Sequence, residues 1–411
     1  MRAIILVLLL VAVLPGAVLS AIIHVPADQP TIQAGIDAAT VGDEVLVASG
    51  TYTGPGNKNL DLHGKDIVVR SESGAATTII DCQGSGRAFN LYPPLTSAAR
   101  IEGVTIQNGD AAGGSNQGGG GMYIVACSPT IDHCIFQDNV AVGFVYMGGG
   151  GAIASEFSSS LISSCIFLRN RVFDGIGGAV VTRHSFVTIT DCDFRNNVTG
   201  DFGGAVAIFR LPGPESDQPG SGGVFSSRFI DNHAGHSGGG LGFNNNIDLL
   251  TVEDCVFYSN ESAFGGGLYS EGRISVARCT FVANEGLGGI YCQTPATILN
   301  TIIEGTRSGP ALITVCYQLE LRCSNFHGNE GGDWDECLAS YLGVEGNIAL
   351  DPMFCDLPSG DLHLCPDSPC APDQSGSCGL IGALPVGCGA CGATAVAPTT
   401  WGRIKHDAED R

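Results

Sequence analysis

The sequence predicts an all-β fold, a single-stranded right-handed parallel β-helix (a solenoid) of about 10–11 coils. Two observations predict it. The phrase Cys-x-Phe-x-x-Asn recurs through the middle of the chain, with its phenylalanines 24 to 35 residues apart. A second phrase, a glycine pair followed by apolar residues, comes after most of these copies. A repeat of this length is typical of solenoids, whereas a sandwich of antiparallel hairpins would show short turn motifs between alternating strands.

Each copy of the phrase predicts interior columns of like residues. Cys and Phe two positions apart point to the same side of a strand, and coils stacked about 4.8 Å apart put like residues above like. The predicted interior columns are Cys134, Cys165, Cys192, Cys255 and Cys279, and Phe136, Phe167, Phe194, Phe229, Phe257 and Phe281. A third ladder, at the corners of the coils, is Asn139, Asn170, Asn197, Asn232, Asn260 and Asn284. We expect the asparagines to adopt the left-handed conformation of a sharp corner, and the glycine pairs to mark close approach between coils.

Changes in composition, and the positions of proline and glycine, divide the chain into five predicted segments. Residues 1–20 are predicted to be a signal peptide, because Arg2 precedes an apolar run that is too short to span a bilayer. The other predicted segments are an N-terminal cap over residues 21–44 with a capping helix near Pro30–Ala39, β-helix coils over 45–315, last coils with a Cys-rich C-terminal cap over 316–391, and a flexible tail over 392–411.

Cysteine usage differs along the chain. The column cysteines are expected to pack as small apolar residues without bridges, because parallel neighbouring side chains do not favour a disulfide. The last nine cysteines lack this column and lie in predicted loops of an exported chain, so they are disulfide candidates. They are Cys316, Cys323, Cys337, Cys355, Cys365, Cys370, Cys378, Cys388 and Cys391. Their pairing cannot be deduced from their order, and the odd count leaves one over or paired with Cys292.

The charge balance limits the partners. The chain has 41 acidic and 19 basic residues and a net charge of −22. Such a chain repels phosphate backbones and anionic lipid surfaces, which excludes nucleic acid as a partner. We expect a monomer, secreted to the extracellular space or the cell surface, with no membrane span in the mature chain.

The repeats resemble those of the chlamydial polymorphic outer-membrane proteins, which are surface adhesins. The matching phrases are Gly-Gly-Ala-Ile at 150–153 and Phe-x-x-Asn at 136–139. The opening phrases at 25–36, 42–45 and 50–52, and the closing phrases at 351–354 and 360–364, are similar to those of secreted right-handed β-helix proteins of the pectin-lyase-like superfamily. The resemblance implies the β-helix fold, together with adhesion or polysaccharide chemistry at the cell surface.

Catalytic candidates come from the outward positions beside the column cysteines. Asp191, Asp193, Arg228 and Asp254 fall on three neighbouring coils. Carboxylates that bind calcium beside an arginine are what the resemblance to pectate lyases implies, and paired aspartates suit glycoside hydrolysis. The favoured alternative is that Arg228 stacks over Asp193 as a solvated ion pair that contributes little.

A metal site is the second hypothesis about side chains. Asp231, His233 and His236 flank one corner and supply metal-ligand types, but a surface turn explains them as well. No cofactor is expected to be required, and calcium is the one cofactor that the acidic candidates suit.

Two functional hypotheses follow. The first is a non-catalytic protein that binds polysaccharide or cell-surface glycan or mediates adhesion, because the outward columns vary from coil to coil and no catalytic set is complete. The alternative is an extracellular polysaccharide lyase or glycoside hydrolase, which rests mainly on the fold.

Overall fold

The computed structural model describes residues 20–111, 118–144, 147–185, 187–209, 222–244 and 249–389. Within them the chain forms a right-handed parallel β-helix, which confirms the predicted fold class. Each full coil passes through four stacked sheets in turn, named sheets 1 to 4 here. Residues 1–19 of the predicted signal peptide, and residues 390–411, which include the predicted tail, lie outside the described residues.

The strands of sheets 1 and 2 run the length of the solenoid. Sheet 1 contains Ile22–Val25, Glu44–Val47, Val68–Ser71, Arg100–Glu102, Thr130–Asp132, Leu161–Ser163, Thr188–Thr190, Gly223–Phe225, Leu249–Glu253, Arg273–Ala277, Ala296–Leu299 and Glu320–Arg322. Sheet 2 contains Gly50–Tyr52, Thr78–Asp81, Thr105–Gln107, Ile135–Gln137, Ile166–Leu168, Asp193–Arg195, Arg228–Ile230, Val256–Tyr258, Thr280–Val282, Ile302–Glu304 and Asn325–His327.

Sheets 3 and 4 complete the coils. Sheet 3 contains Val140–Ala141, Arg171–Val172, Val198–Thr199, His233–Ala234, Glu261–Phe264 and Glu285–Leu287. Sheet 4 contains Phe89–Leu91, Met122–Val125, Ile153–Glu156, Val180–Arg183, Val206–Phe209, Leu241–Asn244, Leu268–Ser270, Ile290–Cys292 and Leu312–Ile313. Two antiparallel pairs, Gly143–Phe144 with Met147–Gly148 and Phe354–Asp356 with Asp361–Leu364, lie outside the coils. The short 3₁₀ helices are Cys316–Gln318, Glu336–Ser340, Leu357–Ser359 and Gly376–Cys378.

The first coil begins earlier than predicted. Strand Ile22–Val25 precedes the capping helix and pairs in parallel with Glu44–Val47, so sheet 1 starts before residue 45. The sequence hid this strand because it has none of the markers of the repeat. The helix itself spans Ile32–Ala38, and its first turn is capped by the Thr31 hydroxyl, which accepts the Ala34 N–H at 3.2 Å. Its buried residues pack into the main core and so cover the open end of the solenoid.

The interior columns form as predicted. The rings from Phe136 to Phe281 stack nearly parallel, with centroids 4.4 to 5.0 Å apart. The five column cysteines are buried and unbridged. Ser227 occupies the same column, and its hydroxyl donates to the Phe225 carbonyl as the cysteine sulfurs do to theirs. Like residues therefore stack in register over six coils.

The asparagine column corrects the prediction about corners. The asparagines are buried, and each side-chain amide from Asn139 to Asn260 donates to the Oδ1 of the next asparagine at 2.9 to 3.0 Å. The left-handed residue is instead the one before each asparagine, such as Asp138 (φ 55°) or Asn196 (φ 53°). Each inward amide is hydrogen-bonded to the asparagines of the coils before and after it. This supplies the partners that a buried polar group needs, so the side chain stabilises the coil more from the interior than it would from the corner.

The glycine pairs lie where adjacent coils touch, as predicted. A Cβ at Gly178 would come within 2.0 Å of the Gly204 carbonyl oxygen, and one at Gly204 within 2.0 Å of that of Gly239. No side chain larger than hydrogen fits between backbones this close.

The closing region is only partly an end cap. Trp334 stacks on Phe326 at 4.5 Å and covers the last coil. Residues 351–389 then fold back along the outside of sheet 2, where Leu362 packs against Val256 and Val282. We call residues 351–389 the fold-back segment.

The disulfides lie where the sequence predicted them. They join Cys316 to Cys337, Cys323 to Cys378 and Cys355 to Cys388. Cys365 is disulfide-bonded as well, and Cys391 lies outside the described residues. Cys370 was wrongly predicted to be bridged; it is a free thiol buried beside Asn325, because the fold-back segment packs it inward. Cys292 is also free and buried.

Candidate functional site

Asp193 and Arg228 are neighbours, but they do not form the predicted solvated pair. They face each other in register on adjacent strands of sheet 2. Asp193 is only 2% exposed, and Arg195 on its own strand binds both of its carboxylate oxygens, at 2.7 and 2.6 Å. The prediction considered the residue on the next coil and missed Arg195 on the same strand. Residues two apart on a strand share a face, so the long Arg195 side chain can fold back along the strand to Asp193.

Arg228 lies beside the fold-back segment, where it interacts with the Asp361 carboxylate. Burial lowers its pKa, while the carboxylates of Asp193 and Asp361 act in the opposite direction. Asp361 belongs to the fold-back segment. The outer face of sheet 2 is therefore closed from about this coil onward.

The other two catalytic candidates lie at the corner between sheets 1 and 2. Asp191 (φ 55°) and Asp254 (φ 56°) are left-handed corner residues, and two coil steps of about 4.8 Å separate them. Asp254 is bound by Arg278 at 2.7 and 3.0 Å, and Asp191 accepts a hydrogen bond from the Thr190 hydroxyl. The four candidates are thus divided between a face and a corner, each carboxylate with its own local partner.

The three metal candidates do not converge. Asp231 is a left-handed corner residue (φ 53°). His233 Nδ1 lies 3.4 Å from Glu261 Oε2, and His236 Nδ1 lies 2.7 Å from the Ser237 hydroxyl. Among the described residues, the one group of His, Cys, Asp or Glu whose ligand atoms gather within 4.8 Å is Cys355, Cys365 and Cys388.

A concavity of about 410 Å³ opens on sheet 3. In its lining, His233, Glu261 and Glu285 lie in register on three successive coils. It is lined by His233, Ala234, Gly235, Glu261, Ser262, Ala263, Glu285, Gly286, Leu287 and Ser308.

Local backbone geometry shapes this concavity. The pairing of Glu261–Phe264 with the next strand is irregular, and the Ser262 hydroxyl turns away to donate to the Phe264 carbonyl at 2.8 Å. Such irregularities bend a strand and re-aim its side chains. Leu287, 42% exposed, supplies an apolar surface at the rim.

The concavity contains two glutamates, which lie between His233 and Arg307 in one column of sheet 3. Glu261 has His233 as its neighbour, and Glu285 pairs in register with Arg307 on the next coil, although its carboxylate makes no hydrogen bond or ion pair within the described part of the chain. Two like charges stacked in register destabilise a sheet unless a cation or hydrogen-bond donors compensate them. The two glutamates therefore favour a ligand that donates hydrogen bonds, and His233 and Arg307 border them on either side of the column.

Sequence reasoning found His233 but missed Glu261 and Glu285. It sought catalytic residues only at the outward positions beside the column cysteines, and metal ligands only at the corner that holds Asp231, His233 and His236. The residue directly after each column asparagine starts the sheet 3 strand, and three consecutive copies of that position are His233, Glu261 and Glu285. This run of ionisable residues at one repeat position was the available signal.

The outer face of sheet 4 has a second polar network. Tyr123 donates to Glu156 at 3.1 Å, and Arg183 binds the other oxygen of Glu156 at 3.0 Å. Burial, together with the Glu156 carboxylate, raises the pKa of Tyr123. Because this ring is almost entirely buried, the network stabilises the face and offers less access to a ligand than the concavity.

Comparison with known proteins agrees with the observed fold. Residues 65–211 match the family described as right handed beta helix region. No curated protein matches the chain. Among solved structures, the chain is similar to pectate lyase Pel9A, at 13% identity over 83% of this chain and 84% of that one (TM-score 0.46).

Two further solved structures are similar to the chain. Pectin methylesterase from carrot is 11% identical over 72% of this chain and 87% of that one (TM-score 0.31). The catalytic unit of a thermostable GH87 alpha-1,3-glucanase from Streptomyces thermodiastaticus strain HF3-3 is 12% identical over 74% of this chain and 67% of that one (TM-score 0.33).

Across the described residues, no helix has the length and apolar character needed to cross a membrane.

Proposed function

We propose that the protein is an exported β-helix that binds a glycan without catalysis, through the concavity on sheet 3. The observation that carries the proposal is the stacked column of His233, Glu261 and Glu285 in the lining of an open site of about 410 Å³. This volume lies within the range of about 300–1,000 Å³ that is usual for small-ligand sites.

The chemistry of the lining suits sugar hydroxyls. Carboxylates accept hydrogen bonds from hydroxyl groups, and an imidazole can donate or accept them. The net charge of −22 and the two glutamates disfavour a polyanion such as a polyuronate. Neutral or amino-bearing glycans are therefore the expected ligands.

Two observations support export and a non-catalytic role. Disulfides such as Cys323–Cys378 persist in oxidising, extracellular compartments. The carboxylates of Asp193 and Asp254, two of the four catalytic candidates, are engaged by Arg195 and Arg278. A carboxylate held by an arginine fork is less available as a nucleophile or a base.

The test is a binding assay of the mature chain on a panel of neutral, amino-bearing and uronate oligosaccharides. Glu285→Gln and His233→Ala should weaken binding about tenfold or more, since each removes a contact worth about 1.5–3 kcal/mol. The matched control is Glu72→Gln, an exposed acid outside the concavity. Binding that is equal in all four proteins, or absent from the whole panel, would reject the proposal.

A hydrolase is the second candidate, and one observation favours it. Glu261 and Glu285 lie on adjacent coils in the same concavity, where strands are about 4.8 Å apart. Retaining glycosidases hold their two carboxyl groups about 5–5.5 Å apart. Release of reducing ends, measured with and without calcium and abolished by Glu261→Gln, would establish it. Binding without turnover would exclude it.

A further inference from the structure

The rim of the concavity continues into a group of rings at the corner between sheets 3 and 4. Leu287 lines the concavity, and it pairs in register with Phe264 on the preceding coil. The Phe264 and Tyr291 rings meet edge to face, with centroids 5.8 Å apart at 79°. The exposed ring of His236 also contacts Phe264, at 5.3 Å between centroids. We call His236, Phe264, Leu287 and Tyr291 the corner patch.

Phe264 and Tyr291 stay partly open to solvent for a packing reason. Phe202 holds the position of Phe264 two coils earlier, and it is only 8% exposed. The ring of Phe202 lies over Gly242, where a Cβ would approach it to 2.5 Å. Phe264 meets Tyr291 at the corresponding place, and a tyrosine leaves no such room. Both rings of the corner patch are therefore only half-buried.

A hydrogen-bond network holds Tyr269, and through it Tyr291, in place. Tyr269 stacks on Tyr291, with centroids 5.4 Å apart and an interplanar angle of 22°. The Tyr269 hydroxyl donates to Glu271 at 2.9 Å and accepts from the Gln293 amide at 2.6 Å. Gln293 is exposed and Glu271 is half-buried, so both offer polar atoms beside the rings. A sugar can pack its C–H face on such a ring while its hydroxyls meet the amide and the carboxylate.

We propose that the corner patch is a second sugar subsite, which continues the glycan site of the concavity around the corner onto sheet 4. The inference rests on the proposed function. Leu287 and Tyr291 are four residues apart, which is at most about 14 Å of extended chain. Because the glutamates and Tyr291 lie on different sheets, one sugar ring cannot contact both, but a short oligosaccharide can. Flat packing on a ring requires a C–H face without axial hydroxyls, so the expected ligand is an oligosaccharide of gluco-configured units.

The test measures affinity by isothermal titration calorimetry for glucose, cellobiose and cellotetraose, and for glucosamine and its chitosan oligosaccharides. The wild type should bind the longer sugars more tightly than the single units. Tyr291→Ala should weaken binding of the four-unit sugars about three- to tenfold and leave binding of the single units unchanged. Tyr291→Phe keeps the ring and should keep the gain from chain length. The matched control is Tyr317→Ala, a 79% exposed tyrosine in the closing region, which should not alter binding.

The outcomes separate this inference from the proposed function. It is overturned if Tyr291→Ala leaves the four-unit affinity unchanged, weakens one-unit and four-unit sugars alike, or if the wild type gains nothing from chain length. In those cases a loss of binding in Glu285→Gln still supports the concavity, whereas a wild type that binds no glycan rejects both proposals. Tyr291→Leu replaces Tyr291→Ala if far-UV circular dichroism shows that the alanine variant is unfolded, because leucine keeps an apolar contact with Phe264 but offers no ring.

Discussion

The central coils and the closing region use cysteine in opposite ways. Between Thr130 and Asn284 the cysteines stack inward as free, buried thiols, whereas after residue 315 most of the described ones form disulfides. The coils are stabilised by like residues that pack on like residues. The fold-back segment has no repeat to stack on, and it relies on a few apolar contacts and on covalent links. Repetition and crosslinking are thus alternative ways to order one chain.

The largest expected effect removes one ring from the phenylalanine column. Phe194 lies between Phe167 and Phe229 with no exposed surface. Phe194→Ala should lower the free energy of unfolding by about 3–5 kcal/mol, because it leaves a cavity that the stacked backbone cannot collapse to fill. Chemical denaturation measures this loss. The control is Phe173→Ala, 52% exposed, and an equal loss there would show that the column does not stabilise the coils.

The asparagine column should give the next largest effect. Asn197→Ala leaves the Asn170 backbone N–H and the Phe167 carbonyl without their partners. We expect a loss of about 2–4 kcal/mol, because each buried unsatisfied group costs about 1–3 kcal/mol. Asn196→Gly is the neighbouring control: Asn196 is exposed and left-handed, so glycine should be tolerated there. Similar losses in both variants would contradict the ladder.

Removal of a crosslink should affect the fold-back segment alone. The Cys323–Cys378 bridge closes 55 residues, and the double variant Cys323→Ser/Cys378→Ser should cost about 2–4 kcal/mol. Amide hydrogen exchange should speed up in residues 351–389 while residues 130–284 keep their protection. Equal loss of protection in both regions would mean that the coils also depend on the crosslink.

The smallest effect is expected from a column cysteine. Cys165→Ser should cost about 1 kcal/mol or less, because the hydroxyl can keep the hydrogen bond to the Ser163 carbonyl, as Ser227 does in the same column. Cys165→Leu should cost more, about 1–3 kcal/mol, by overpacking the interior. If both substitutions destabilise the protein equally, the prediction that the column cysteines act only as small buried side chains is wrong.

The amino-acid sequence by itself determined the solenoid, its interior columns of cysteine and phenylalanine, and the region of the chain in which the bridged cysteines lie. Inward positions recur in every coil, so their contacts follow from the period alone. Only the tertiary structure decided which outward residues meet. Arg195 rather than Arg228 holds Asp193, and the Ala383 N–H donates to the Thr280 hydroxyl at 2.9 Å across 103 residues of sequence. Outward contacts depend on side-chain rotamers and on the path of a non-repeating segment, and neither is encoded by a period.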